Sequence, residues 1–178
     1  MDAIKLTKED HRKVEQLFKK FQQAGPRAFK TKEHLAERIT KELSVHASIE
    51  EQLLYPALRK AQGNGQVEEA LQEHQEVKEA LANLGKLSAD DGGFDQTMSQ
   101  VIEDVTHHAK EEEREMLPKL RQALSKKDLE ELGERMKKAK KTAPTRPHPK
   151  APNTPPGNVV AGSVAAVADR ARDAIKGR

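Results

Sequence analysis

Cysteine is absent from the 178 residues, which excludes disulfides, thiolate zinc sites, iron–sulfur clusters and cysteine nucleophiles. Any metal ion must be held by nitrogen and oxygen donors. Aromatic residues are almost as scarce: no Trp, one Tyr and four Phe make no stacking platform for nucleobases. No segment approaches the ~18 consecutive apolar residues of a membrane span. The opening MDAIKLTKEDHRK also lacks the apolar stretch of a secretion signal. The chain therefore reads as soluble, intracellular and cytoplasmic. A basic body is missing too. The net charge is +3, but residues 143–178 carry six Lys/Arg against two Asp, leaving −1 for residues 1–142. Nucleic acid is not an expected partner of such a surface.

What is present is helical periodicity. Four long stretches place apolar residues at alternating spacings of three and four, and no convincing strand appears. Thr7 with Asp10 resembles a capping box for a first helix running to about Gln23. Thr31 is a candidate cap for a second helix, extending to about Lys60 before Gly63-Asn64-Gly65. A third helix covers about Gln66 to Leu87 and a fourth about Phe94 to Leu124. Short connections imply antiparallel neighbours. Ser125 with Asp128 starts a shorter fifth helix, ending in a lysine run best read as a solvated helix end.

The expected fold is an all-α, up-down-up-down four-helix bundle with a short fifth helix and a Pro-rich C-terminal tail. Residues 1–142 form the bundle domain and 143–158 a proline-dense extended linker. Residues 159–178 form a short amphipathic helix or disordered tail with Val160, Val164, Val167, Ala171 and Ile175 on one side.

The apolar stripes carry the functional signal because polar residues interrupt them. The first helix reads Ile4, Thr7, His11, Val14, Phe18, Phe21, and the second Leu35, Ile39, Leu43, His46, Glu50, Leu53. The third reads Val67, Leu71, His74, Val77, Leu81, Leu84, and the fourth Phe94, Met98, Val101, Val105, His108, Glu112, Met116. Burying an unpaired carboxylate costs several kcal/mol. Either these six groups neutralise one another, or cations sit between them. The second explanation needs no further partners, since imidazole nitrogen with carboxylate oxygen suits iron, manganese or zinc.

His-x3-Glu spacing alone is weak evidence, because His11-x3-Glu15 and His107-x3-Glu111 also match it. A longer repeat is more specific. His46-Ala-Ser-Ile-Glu50-Glu51 with Tyr55-Pro56 is echoed by His108-Ala-Lys-Glu-Glu112-Glu113 with Leu117-Pro118. Asp10-His11 is likewise echoed by Glu73-His74. Two similar helical hairpins facing each other would create two equivalent metal positions. The prolines predict kinks or helix ends at Pro56 and Pro118.

These repeats resemble the hemerythrin-like HHE cation-binding family over roughly residues 5–124. The resemblance implies a bundle holding two non-haem Fe ions, oxo- or carboxylate-bridged, with Zn or Mn as alternatives. It implies His11 and His46 on one ion, His74 and His108 on the other, and Glu50 and Glu112 between them. Many oxygen-carrying members resemble His-x3-His on the third helix, whereas Lys78 stands one turn after His74 here. That departure favours chemistry on hydrogen peroxide or dioxygen, including catalase-like decomposition, over reversible oxygen carriage. The alternative is an O2, NO or iron sensor or store signalling through the tail, whose partner is unknown. A zinc-stabilised structural bundle is a third reading.

Other polar residues carry plainer expectations. Glu15 reads as a surface residue, His107 as a flank histidine and Tyr55 as packing. Glu111, Glu113 and Glu115 read as a solvated face. Asp10, Glu73 and Asp104 are candidates to orient ligand histidines through the second ring nitrogen.

Overall fold

The computed structural model describes residues 1–176. Positions 177 and 178 of the expected 159–178 segment lie outside them. Among the described residues there is no strand. The helices are α1 (Ala3–Gln23), α2 (Phe29–Ile49), α3 (Tyr55–Gln62), α4 (Gly65–Leu84), α5 (Phe94–Glu111), α6 (Leu117–Ala123), α7 (Lys126–Lys140) and α8 (Gly157–Lys176). One-turn π-helical segments, Glu50–Leu54 and Glu112–Met116, join α2 to α3 and α5 to α6 without a break. The result is the four-helix bundle that the apolar stripes predict, with α1 packed on α2 and α4 on α5. Among the described residues no helix is long and apolar enough to cross a membrane.

Helix starts differ from expectation in two places. α1 begins at Ala3 because Asp2 accepts the Lys5 amide at 2.8 Å, satisfying one of the orphan amides of the first turn. Ala3, Ile4 and Leu6 are then buried in the same cluster as Leu129, Leu132 and Met136 of α7. Thr7 is a fully buried residue inside the helix, not its cap. α2 begins at Phe29 with no side-chain cap, so Thr31 lies within it. The Ser125–Asp128 capping box of α7 is present in both directions. α4 stops at Leu84, where the Gly85 amide bonds to the Leu81 carbonyl at 3.1 Å.

Neither proline ends its helix. The Tyr55 amide bonds to the Glu50 carbonyl and the Leu117 amide to the Glu112 carbonyl, one residue beyond α-helical spacing. Such a widened turn admits the ring of Pro56 or Pro118, which cannot donate a backbone hydrogen bond. Each extra residue rotates everything after it by about 100° relative to a continuous α-helix.

The core has two apolar clusters. One contains Tyr55, Leu58, Leu71, Met116 and Leu120, and the other Val14, Phe18, Leu43, Leu81, Met98 and Val101. The buried histidines and glutamates occur on the same helices in a polar layer between these two sets.

The tail folds back on the bundle. Asp169 on α8 is fully buried and accepts the amides of Thr145 and Arg146 at 3.1 and 3.0 Å, while His148 Nε2 lies 2.9 Å away. The Gln75 side chain donates to the Pro149 carbonyl at 2.9 Å. Val160, Val164, Val167 and Ile175 do share a side of α8, but that side is exposed, at 68–76%. Asn158, Ala166 and Asp169 are its buried residues. The buried carboxylate sets this orientation, since it must face the amides that satisfy it.

Candidate metal centre

α1, α2, α4 and α5 each bring one histidine of their stripe into the polar layer. Donor atoms of His11, His46 and Glu50 lie within 4.8 Å of one another, and so do donor atoms of Glu50, His74 and His108. Glu50 belongs to both groups. Its Oε2 is 3.2 Å from His46 Nε2 and 3.5 Å from His74 Nε2. Glu112 Oε2 is 3.3 Å from His11 Nε2, although Glu112 falls outside both groups of three. The six stripe residues of the sequence are thus brought to one place. Glu50 and Glu112 are fully enclosed, at 0% and 1% exposure.

Carboxylates hold the outer nitrogens of the rings. His11 Nδ1 is 2.8 Å from Glu113, His74 Nδ1 is 3.1 Å from Glu51, and His108 Nδ1 is 2.6 Å from Glu73. His46 Nδ1 stands further off, 3.9 Å from Asp10. The pattern follows the internal repeat: the second glutamate of each Glu-Glu pair serves the opposite hairpin, and the acid preceding the first histidine serves its own. A ring that donates through Nδ1 presents the Nε2 lone pair inward. Lys78 Nζ sits 2.6 Å from Glu51 Oε1, so its charge engages the carboxylate behind His74. Asp104 instead accepts from Gln100 at 2.8 Å and forms no hydrogen bond or ion pair with a histidine among the described residues.

Two expectations are corrected. Glu113 is half-buried and more than a solvated residue, because it serves His11 and Lys8 together. Tyr55 is more than packing: its hydroxyl lies 3.1 Å from His74 Nε2, 3.4 Å from His108 Nε2 and 3.4 Å from Glu50 Oε2. An unbroken α-helix would carry Tyr55 half a turn away from His46. The π segment restores it to the centre by making residues i and i+5 neighbours. The Tyr-Pro dipeptide against Leu-Pro in the second repeat was the available signal, and it also marks where the two halves differ.

The electrostatics are those of an interior donor set. Burial lowers the pKa of His46, and burial with the neighbouring His108 lowers that of His74 further. Burial and Glu112 push the Glu50 carboxyl well above the usual carboxylate range. Burial opposes charge on His11 too, but Glu112 and Glu113 prevail and lift it to about 9. The same contact holds Glu112 below its ordinary value despite its burial.

The fit to a cation is visible in the unsatisfied atoms. His11 Nε2, Glu50 Oε1 and both carboxylate oxygens of Glu112 are buried without a hydrogen-bond partner. Buried polar atoms normally find partners, and a cation is a partner common to all four. A third group, Glu73 with His107 and Glu111, lies outward, with His107 exposed and Glu73 already committed to His108.

Comparison with known proteins identifies the family. The model of the hemerythrin HHE cation binding domain matches residues 2–120. An uncharacterized hemerythrin-like protein of Schizosaccharomyces pombe is 31% identical over 170 residues, covering 94% of this chain and 83% of that protein. A DNA nickase of Nostoc is 32% identical over 139 residues, 78% of this chain but only 38% of the nickase. The crystal structure of a hemerythrin HHE cation binding domain-containing protein from Mycobacterium kansasii superposes with a TM-score of 0.69 at 29% identity, covering 79% of this chain and 86% of that one. This chain's buried layer of histidine and glutamate, repeated in two helical hairpins, is thus a candidate cation site, and the chain belongs to the hemerythrin HHE cation-binding family.

Proposed function

We propose that this chain is a non-haem di-iron protein that reacts with hydrogen peroxide or dioxygen, decomposing peroxide in the manner of a catalase. The observation that carries the reading is the pair of three-residue donor groups sharing Glu50. In this proposal His11 and His46 hold one ion, His74 and His108 the other, and Glu50 and Glu112 lie between them. Imidazole and carboxylate donors suit iron, with manganese and zinc as the competing occupants. Bound iron would supply the redox capacity for turning two peroxide molecules into two waters and one dioxygen.

The protein's own groups supply position, exclusion of water and proton handling. Glu113, Glu51 and Glu73 keep three imidazoles turned inward, and Lys78 holds Glu51 against His74. The Tyr55 hydroxyl, within 3.4 Å of Glu50 and of two histidines, is placed to hold a proton at the edge of the donor set. The apolar clusters on either side keep bulk water from the buried carboxylates.

The test is reconstitution with iron, elemental analysis and oxygen evolution from peroxide. About two irons per chain and turnover that His46→Ala removes are expected. Full iron content with no oxygen evolution, unchanged in His46→Ala, would sink the enzymatic reading. Zinc as the only metal of the purified protein would favour the structural alternative.

A sensor of O2, NO or iron is the second reading, favoured by one observation. Glu51 and Lys78 share a small cleft of about 50 Å3 with Arg146, His148 and Asn158 of the tail. A change at His74 would thus be felt where the tail docks. Deleting residues 143–178 should remove a sensor's output and leave metal in place. Cytoplasmic residence belongs to the same proposal and is checked by cell fractionation. The absence of a nucleic-acid partner belongs to it too, supported by the net charge of −1 on residues 1–142. Saturable DNA binding would overturn it.

A further inference from the structure

A cavity of about 580 Å3 opens beside the metal centre. Water occupies ~30 Å3 per molecule, so the space is far larger than dioxygen or hydrogen peroxide requires, and it falls within the ~300–1,000 Å3 of organic-ligand sites. All four bundle helices contribute to it. The four histidines form one part of its wall, and Val14, Phe18, Leu43, Val77, Leu81 and Val105 form an apolar part. Most of these belong to the second core cluster, so the cavity extends away from the donors into the hydrocarbon interior. α1 and α5 meet at few points, which leaves an open side between them.

The mouth has a charge signature. Lys8 is occupied by Glu113, Lys78 by Glu51 and Arg114 by Glu115. The lining acids are committed as well, Glu15 to Lys19, Glu73 to His108 and Glu113 to His11. Arg12 and Lys110 also border the cavity, are exposed, and form no ion pair among the described residues. Two spare cations therefore stand over an apolar chamber whose acids are already engaged.

We infer that the cavity binds an amphipathic organic carboxylate, with an alkyl chain among Val14, Phe18, Leu43 and Leu81 and a head group at Arg12 and Lys110. Apolar burial supplies the affinity, and the cations select an anionic over a neutral or cationic head. This binding rests on the metal-centre reading only in taking the four histidines as the chamber's inner wall, and it goes beyond a centre for dioxygen or peroxide alone.

Calorimetric titration of the full chain, iron-loaded and chelator-treated, tests it with decanoate, decan-1-ol and decylamine as probes. Decanoate is expected to bind saturably, one per chain, in both metal states, with decylamine at least tenfold weaker. Combining Arg12→Glu with Lys110→Glu, both exposed positions, should weaken decanoate at least tenfold and leave decanol unchanged. Leu81→Trp should block all alkyl probes while Leu81→Met retains them. Should the tryptophan variant fail to fold, the charge-reversal pair decides.

Equal affinity for the three probes, decanoate binding untouched by charge reversal, or binding that appears only with iron present would each overturn the inference. Elemental analysis keeps the two readings separate. Iron uptake without decanoate binding removes this inference alone, and decanoate binding by a protein that takes up no iron on reconstitution removes the metal reading alone.

Discussion

The Tyr55 hydroxyl lies 3.1 Å from His74 Nε2, on a residue that helical periodicity would send to the far side of its helix. The π turn from Glu50 to Leu54 brings the two together. The second hairpin has Leu117 at the corresponding place, and Leu117 is buried in the apolar cluster that also holds Tyr55. The histidine pairs His11/His46 and His74/His108 are related by the repeat, yet among the described residues the phenol lies within hydrogen-bond distance of the second pair alone.

Tyr55→Phe separates the hydroxyl from the ring. The ring keeps its packing, so folding and iron content should be preserved. Peroxide turnover should fall on the order of 100-fold, the lower end of what a positioned proton donor contributes. Stopped-flow oxygen release beside iron analysis measures this. Unchanged turnover at full iron content would return Tyr55 to the role of packing.

Removing a carboxylate behind a histidine should weaken the metal, not the fold. Glu113→Ala leaves His11 Nδ1 without its 2.8 Å partner, and a loss of about 10–100-fold in metal affinity is expected. Chelator competition gives the number. Glu111→Ala, whose partner His107 is exposed, is the control and should change little. Equal effects at the two positions would contradict the orientation argument.

Metal should raise thermal stability, and Glu50 should govern how much. At 100 Kd of free ion a bound metal adds about 2.7 kcal/mol, worth about 5–10 °C in a protein of this size. Burial and Glu112 push the Glu50 carboxyl upward, so a neutral amide there relieves the burial and repulsion that oppose its charge. Metal-free Glu50→Gln should melt at or above metal-free wild type while losing most of the metal-induced gain. Circular dichroism melts with and without chelator decide. A wild-type gain that survives the substitution would place the metal elsewhere.

Asp169→Ala should release the tail. It strands the amides of Thr145 and Arg146, at about 1–3 kcal/mol for each buried unsatisfied group. Proteolysis should then cut between 143 and 157 while the bundle keeps its metal. Resistance equal to wild type would show that other contacts hold α8.

Gly133→Ala tests how tightly the chain's start is seated. A Cβ there would meet the Met1 carbonyl oxygen at 2.3 Å and the Ala3 amide nitrogen at 2.8 Å. Backbone cannot yield as a flexible side chain does, so a loss of about 1–3 kcal/mol is expected. Urea unfolding measures it, and an unchanged midpoint would mean the N-terminus moves aside freely.

Much of the architecture was legible in residue order alone. Period-3.6 stripes place four helices and their inward faces, because burial of apolar area rewards one face of each helix wherever the chain lies. The same stripes point to His11, His46, Glu50, His74, His108 and Glu112, because polar groups at apolar positions are costly enough to require a reason. What stayed hidden depends on partners distant in sequence or on a change of helical pitch. Glu113 looks like a solvated glutamate, and Glu51 has no assigned role, until α1 and α4 are seen beside them. Tyr55 is out of phase until the turn before Pro56 widens. The apolar side of α8 was evident, but its outward direction follows from Asp169 finding two amides some two dozen residues earlier. Periodicity is a local property of the chain and can be counted. The satisfaction of a buried polar atom is a property of what lies across from it, and it exists only after the helices have packed.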